Sequence, residues 1–286
     1  MTAQRHTTNT FTKVAAVVLI ALSLGALIQN HIIVGVDWRD VMSKIRFDDP
    51  YANNALVGTD MRFYGVPWTI LALPHAYLPM LYGNALNFIL NLIVPAIVVH
   101  RLKGGRRALA LVFTSPFYLQ LLASNNIDWI PLLAYISPDA IAPVLFAIKP
   151  QSLAASLLIR AKRAWKTHGV GGLLILGGPL AAVLTASTVV WPLWWTKIGV
   201  PPYDTPVNLA PFPLFVPLGL WMLWRAWKVD DMALAGCATP FLVPYVTPYS
   251  ATANLTVLAC EHPRIAVAVW LMAWYMAAVQ ARLSWL

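Results

Sequence analysis

The chain has 286 residues, of which 59% are hydrophobic and only 11% are charged. About a quarter of the residues in a soluble globular domain are charged. This composition therefore excludes an ordinary soluble domain and indicates a polytopic membrane protein. The net charge of +9 does not indicate nucleic-acid binding, because Lys and Arg occur in short clusters between apolar segments, as at the cytoplasmic ends of membrane helices. At about 20 residues for each span, about eight or nine spans would occupy most of the chain.

The N-terminal region predicts a cytoplasmic tail followed by a membrane helix. Residues 1–13 are polar, whereas residues 14–36 form an apolar run that is too long for the apolar part of a typical signal peptide and lacks an A-x-A-like cleavage site. We therefore expect a retained first transmembrane helix that places the N-terminus in the cytoplasm. The predicted fold is all-α, with residues 1–286 forming one integral membrane domain, a polytopic transmembrane helical bundle with short, Pro-broken helices.

Residues 37–65 are predicted to form an outer acidic loop. Five of the eleven acidic residues fall there, namely Asp37, Asp40, Asp48, Asp49 and Asp60. Basic and aromatic side chains are interspersed with them, and this mixture predicts a short amphipathic helix on the membrane surface.

Residues 66–286 are predicted to supply the remaining helices of the bundle. Residues 66–82 are apolar but contain Pro67, Pro74 and Pro79, which predicts an interfacial or re-entrant segment, with a full membrane hairpin as the alternative. Residues 108–123 are predicted to cross the membrane once. Residues 129–137 and 140–159 are predicted as short apolar pieces interrupted by proline.

Asp37 and Asp40 are the candidate catalytic residues. Asp37 stands at the predicted end of the first helix, at the depth of the membrane surface. A partly desolvated carboxylate is more basic than one in water and can act as a general base toward a hydroxyl group. The alternative for either residue is a solvated loop carboxylate.

Lys149 is the candidate anion-binding residue. It interrupts the apolar segment 140–159, where a buried cation is costly unless it faces a cavity or an anionic partner. A lipid phosphate or pyrophosphate would suit it. The alternative is a lysine whose ammonium group reaches the membrane interface from an interfacial turn.

Several polar residues could bind a sugar or an acceptor. Asn125, Asn126 and Asp128 lie together between two apolar runs, and they could bind sugar hydroxyls or cap helix ends. His75 lies in an apolar segment, where a histidine is more often a hydrogen-bonded core residue than an acid or base. Cys237 and Cys260 suit buried thiols, and no metal-ligand spacing occurs, so we expect no metal site.

Several segments resemble, in the same order, motifs of glycosyltransferase family 87, the polyprenol-phosphate-dependent mannosyltransferases of the GT-C superfamily. The segments are VDWRD (36–40), DDPYANNALVG (48–58), FYGVPWTILALPHAYLP (63–79), SNNID (124–128), FAIKPQSLA (146–154) and VTPYSATANL (246–255). The resemblance covers residues 14–260, and the chain is similar to a short member of the family.

The resemblance implies an enzyme that transfers a hexose, mannose in the first instance, from a polyprenyl-phosphate donor in the bilayer to a glycan or lipid acceptor. Transfer would invert the configuration at the anomeric carbon of the sugar, and it would occur on the outer face of the cell membrane. It implies that Asp37 is the general base, with Asp40 as substitute, and that Lys149 and Gln151 bind the donor phosphate. Sugar or acceptor contacts are expected from the remaining candidates, Asn125, Asn126, Asp128, Tyr51 and His75. No cofactor is implied.

Two other functions suit the same sequence. A transporter for a lipid-linked solute would also use Lys149 in a cavity and Pro-broken helices. A catalytically inactive structural or accessory subunit of a membrane complex would suit the short chain. For the enzyme, Asp37 and Lys149 are expected to line one cavity.

Overall fold

The structure, a computed structural model, describes residues 35–52, 62–199 and 208–283. Every regular element within these residues is helical, so the prediction of an all-α fold is confirmed. The predicted first membrane helix lies outside the described residues except for its last two positions. There the structure corrects the predicted boundary, because Gly35 has a left-handed backbone and Val36 begins a separate short helix.

Twelve α-helices occur in the described ranges. In chain order they are α1 (Val36–Asp40), α2 (Thr69–Ala72), α3 (Met80–Arg101), α4 (Gly105–Phe113), α5 (Pro116–Ser124), α6 (Trp129–Ile136), α7 (Ala142–Ile148), α8 (Ser156–Val190), α9 (Val216–Val229), α10 (Met232–Leu242), α11 (Ala251–Glu261) and α12 (Pro263–Leu283). Short 3-10 helices lie at Met42–Lys44, Pro74–Tyr77, Trp194–Thr196 and Pro248–Ser250.

Proline and serine divide the predicted crossing at residues 108–123 into two helices. Helix α4 ends at Phe113 and α5 begins at Pro116, and each contains nine residues. Pro116 fits the first position of a helix, where its missing N–H has no intrahelical partner to lose. The Ser115 hydroxyl accepts a hydrogen bond from the Tyr118 N–H and so caps α5. Residues 108–123 therefore belong to two short helices and not to one continuous helix.

The longest helix, α8, contains a backbone break. Gly169 has a φ of 57° and a ψ of −135°, which no residue in a regular α-helix adopts. An amino acid with a Cβ atom would be strained there, so glycine permits the change of direction within the 35-residue element. The apolar residues 170–190 form the part of α8 that follows the break.

Among the described residues, α3 and α8 are the helices long and apolar enough to cross a membrane. Helices α10 and α12 are apolar as well but have shorter apolar stretches. An 11-residue helix such as α10 is about 16 Å long, roughly half of the hydrocarbon thickness of a bilayer. Many apolar segments therefore form short, broken helices, as the prolines predict.

Helix α11 lies at the centre of the described bundle. It packs against α3, α4, α5, α6, α10 and α12, and all its residues from Thr252 to Ala259 are buried. Its Asn254 side chain donates hydrogen bonds to the carbonyl oxygens of Ser152 and Gly236, at 2.7 and 3.3 Å. These contacts hold helix α10, and the chain that follows α7, beside α11. The segments on either side of the two contact points form part of a cavity.

Candidate functional site

Four side chains predicted to be functional, Asp37, Asn126, Lys149 and Gln151, line a cavity of about 490 Å³. Its walls come from α1, from the segment around Gly65, and from the chain that follows α5, α7 and α10. The charged and polar side chains that line it include Asp37, Arg62, Asn126, Lys149, Gln151 and Tyr249. The cavity thus brings together residues that are more than two hundred positions apart in the chain.

Asp37 is positioned by the residues on either side of it. Two residues earlier, the Gly35 N–H donates a hydrogen bond to the Ala123 carbonyl oxygen at 2.8 Å, which ties the start of α1 to the end of α5. One residue later, the Trp38 side chain is fully buried and stacks on the His75 ring with a centroid distance of 4.8 Å. These two anchors direct Asp37 toward the cavity.

Asn126 connects Asp37 to Lys149. Its side-chain Nδ2 donates a hydrogen bond to Asp37 Oδ2 at 2.7 Å, and its Oδ1 accepts one from Lys149 Nζ at 2.8 Å. The same oxygen accepts a hydrogen bond from the Ile127 N–H at 2.6 Å. A single buried amide therefore joins the acid and the cation across the cavity wall.

Lys149 is held at the end of α7 by a buried ion pair. Its ammonium group lies 2.5 Å from Asp128 Oδ2, and the two side chains are 7% and 0% exposed. The Lys149 Nζ also lies 4.8 Å from the centroid of the Tyr249 ring, in a cation–π arrangement. Asp128 directly precedes α6, so the packing of α6 against α7 brings the two charges together.

The environment of Asp37 makes it more basic than an ordinary aspartate. Burial raises the pKa of its carboxyl group, because the charged form loses solvation. The hydrogen bond from Asn126 and the positive charge of Lys149 oppose that rise but do not cancel it. A partly buried carboxylate with a raised pKa and access to a cavity is suited to accept a proton from a bound hydroxyl group.

A cluster of asparagine side chains supports the segment that carries Asn126. Asn87 and Asn91 of α3 donate to the Asn126 carbonyl oxygen at 3.2 and 2.7 Å, and both also donate to Asn125 Oδ1. Asn125 in turn donates to Asn84 of the same helix. Amides with both donors and acceptors can satisfy a buried, irregular backbone, so this cluster fixes the chain between α5 and α6.

Five of the residues predicted to be functional lie at the cavity or directly behind it. Asp37, Asn126, Lys149 and Gln151 line it, and Asp128 lies behind Lys149 as its ion-pair partner. Asn125 belongs to the asparagine cluster and ends α5 with a left-handed backbone, the capping use that the sequence left open.

Three predicted residues lie elsewhere. Asp40 accepts hydrogen bonds from Arg39, with Lys44 at 3.9 Å, and the Arg39 interaction holds the pKa of its carboxyl group below the ordinary value. The Tyr51 hydroxyl donates to the Gly65 carbonyl oxygen at 2.8 Å. The buried His75 stacks on Trp38 and has Nε2 3.4 Å from Asn87 Oδ1. The structure does not bring these three side chains into the cavity lining.

The site also contains Arg62 and Tyr249, and the asparagines of α3 support it; none of these was among the predicted site residues. Asn84, Asn87 and Asn91 lie at spacings of three and four residues in an apolar helix, which places them on one face and could have indicated a buried polar network. Tyr249 is part of a Pro-Tyr segment noted in the sequence, but its proximity to Lys149 depends on the fold.

The side chains at the cavity suit the binding of an anion or a hydroxyl group. Two carboxylates approach it, and Asp128 already pairs with Lys149. Within the described ranges, no group of three or more His, Cys, Asp or Glu side chains could hold a metal ion. The remaining groups are a base, a cation, amides and phenols, which suit an alcohol and a phosphate ester.

Comparison with known proteins identifies no relative. No family model matches the chain, and no curated protein or solved structure shows significant similarity to it.

Proposed function

We propose that the protein is a membrane glycosyltransferase that moves a hexose, in the first instance mannose, from a polyprenyl-phosphate donor to an acceptor hydroxyl. One observation carries the proposal: Asp37 and Lys149, a base and a cation, line the same cavity and are joined by Asn126. A transfer with inversion needs these two groups and a positioned acceptor, and it needs no covalent enzyme intermediate.

Asp37 is the proposed general base. Its carboxylate would take the proton of the acceptor hydroxyl while that oxygen forms a bond to the anomeric carbon of the sugar. The bond from that carbon to the phosphate oxygen would break, and its electron pair would leave with the phosphate. The raised pKa of Asp37 supports this role, because a more basic carboxylate takes the proton more readily.

Lys149 and Gln151 are the proposed ligands of the donor phosphate. Both line the cavity within three residues of each other, after the end of α7. Asp128 already offsets part of the Lys149 charge. Arg62 is a second cation of the lining and is exposed, so it would add positive charge where the phosphate enters.

The direction of α6 supports an outer active site. Helix α6 begins beside Asp128 at the cavity and ends beside Arg160, which donates hydrogen bonds to the carbonyl oxygens of Ala134 and Tyr135. Arg160 belongs to the basic cluster at residues 160–166, and such clusters face the cytoplasm. The cavity therefore lies at the other end of α6 from this cluster, and this arrangement supports a cavity nearer the outer face.

Integration into the bilayer is part of the proposal. The apolar side chains of α8 beyond Gly169 are largely exposed, including Leu173, Leu174 and Ile175, and lipid tails would cover them. We propose a multi-pass protein of the cell membrane with eight or nine spans and a cytoplasmic N-terminus. A lipid-linked donor would then reach the cavity from within the membrane plane.

The decisive experiment is sugar transfer in membranes, with labelled polyprenyl-phosphate mannose and polyprenyl-phosphate glucose as donors. Wild type is compared with Asp37→Asn and with Asp40→Asn as the matched control. We expect Asp37→Asn to lower the transfer rate by about 10²- to 10⁴-fold, the usual contribution of a general base, and Asp40→Asn to retain activity. Equal rates in all three proteins would remove Asp37 from catalysis. Failure of the folded wild type to use either donor would favour an accessory subunit.

A further inference from the structure

We infer that Asn126 is a positioning residue for the transfer reaction: its side-chain amide holds the ionised Asp37 carboxylate and the Lys149 ammonium group at a fixed separation. The inference deepens the proposed function and rests on it. Its basis is the pair of hydrogen bonds that one amide makes, to Asp37 Oδ2 at 2.7 Å and from Lys149 Nζ at 2.8 Å.

The chemistry of the two partners fixes the orientation of the amide. The Lys149 ammonium group has donors only, so it requires the amide oxygen. The Asp37 carboxylate, when ionised, has acceptors only, so it requires the amide N–H. If the amide were flipped, its oxygen would face the Asp37 carboxylate oxygen, and its N–H groups would face the Lys149 ammonium group. Asn126 is thus matched to an ionised Asp37 and a protonated Lys149 at the same time.

The surrounding structure prevents Asn126 from moving away. Its side chain is buried, and its Oδ1 also accepts a hydrogen bond from the Ile127 N–H. Its carbonyl oxygen accepts hydrogen bonds from Asn87 and Asn91 of α3. With both backbone and side chain held, the amide keeps its N–H directed at Asp37 before any substrate binds, which is what preorganisation requires.

Other charged or titratable groups also face Asp37 and must be distinguished from Asn126. On its own helix, Arg39 and Asp40 pair with each other. From the packed elements, the groups are Asp128, Lys149, Tyr249, Arg62, Tyr64 and Tyr245. Replacement of Asn126 changes none of these residues, so a resulting change in Asp37 ionisation reports the lost hydrogen bond and the arrangement that it maintains.

The test is an infrared titration of the Asp37 carboxyl group in purified protein, which needs no sugar donor. Isotope-labelled aspartate and subtraction of the Asp37→Asn spectrum identify the protonated carboxyl band. We expect Asn126→Ala and Asn126→Leu, which retains side-chain volume, to move the midpoint upward by about one pH unit or more. Ser43→Ala, an exposed change after the same helix, serves as control and is expected to leave the midpoint unchanged. An unchanged midpoint in the Asn126 variants would overturn the inference.

A measurement on proteins with Asn126 intact covers the case in which its variants do not fold. The ¹⁵N-labelled side-chain amide of Asn126 should shift with the Asp37 titration in wild type and lose that response in Asp37→Asn. No response in wild type would contradict the inference.

The pH profile of transfer separates this inference from the proposed function. If the protein transfers sugar, the acidic limb of the profile should move upward in the Asn126 variants together with the infrared midpoint. An infrared shift without any transfer in wild type would retain the role of Asn126 in holding Asp37 and reject the glycosyltransferase. If wild type transfers sugar but the Asn126 variants change neither the infrared midpoint nor the pH profile, the glycosyltransferase would be retained and the role of Asn126 rejected.

Discussion

The Gly35 N–H donates a hydrogen bond to the Ala123 carbonyl oxygen at 2.8 Å, and this contact brings Asp37 beside Asn126. Gly35 lies two residues before Asp37, and Ala123 lies three residues before Asn126. Asp37 and Asn126 are 89 positions apart in the chain, yet their side chains are hydrogen-bonded. The position of the proposed base therefore depends on a glycine that does not itself line the cavity.

Replacement of Gly35 by alanine is expected to disrupt the site. Gly35 has a φ of +87°, and a Cβ atom there would lie 2.6 Å from Asn84 Oδ1. We expect Gly35→Ala to lower stability by about 1–2 kcal/mol, because it adds backbone strain and displaces the asparagine cluster, and to lower the transfer rate. Thermal unfolding and the transfer assay measure the two effects. Gly177→Ala, where a Cβ meets nothing within 4 Å, is the matched control and is expected to be neutral or slightly stabilising.

The buried pair of Lys149 and Asp128 should show strong coupling. Asp128→Asn leaves the Lys149 ammonium group, which is 7% exposed, without its counter-charge. We expect destabilisation by about 3–5 kcal/mol, the usual cost of breaking a buried ion pair by removal of one partner. The double variant Asp128→Leu with Lys149→Met should be more stable than Asp128→Asn alone. Additive losses in a double-mutant cycle of unfolding would contradict the close pairing.

Asp37 should lower the stability of the protein at neutral pH. Because burial raises the native pKa of its carboxyl group above the ordinary 3.8, the folded state retains the proton to a higher pH than the unfolded state does. The folded state therefore loses stability as pH rises from 3.8 through the raised pKa, and it regains that stability on acidification.

Asp37→Asn should consequently raise the melting temperature at neutral pH, although it lowers the transfer rate. The difference from wild type should disappear as the pH approaches the ordinary pKa of 3.8, where the native carboxyl group is protonated. Asp40→Asn provides a control of opposite sign, because Arg39 lowers the pKa of Asp40 and favours its ionised form. A higher stability for wild type than for Asp37→Asn at neutral pH would contradict the expectation.

The asparagine cluster should contribute to folding as well as to the site. Asn87 donates to the carbonyl oxygens of Asn125 and Asn126, and its Oδ1 accepts a hydrogen bond from Trp129 Nε1 at 2.9 Å. Asn87→Ala leaves buried groups without partners, each at a cost of about 1–3 kcal/mol. We expect a large fall in the melting temperature, whereas Leu86→Ala, at a half-exposed neighbour on the same helix, should have a small effect. Similar losses in both variants would show that the cluster adds nothing beyond side-chain packing.

Local chemistry made much of the architecture predictable. The low charge content and the apolar runs predict an all-α protein, and the described residues are helical wherever they are regular. Proline marks where helices begin or break because it lacks an N–H and restricts its own φ. The short piece predicted at residues 129–137 corresponds to α6, and the piece at 140–159 contains α7 and the first residues of α8. The division of residues 108–123 into α4 and α5 was not predicted, although Ser115 and Pro116 are residues typical of a helix start.

For the site, the sequence by itself determined which side chains were unusual: an aspartate after an apolar run, and a lysine inside one. Their cost in an apolar environment is a property of each residue and its neighbours, so it is visible without a fold. Only the tertiary structure decided which of them meet. Asp37, Asn126, Lys149 and Tyr249 converge through contacts between α1, α5, α7 and the segment before α11, whereas Asp40, Tyr51 and His75 pair elsewhere. Such contacts depend on helix packing over long chain separations, and a local sequence pattern does not encode them.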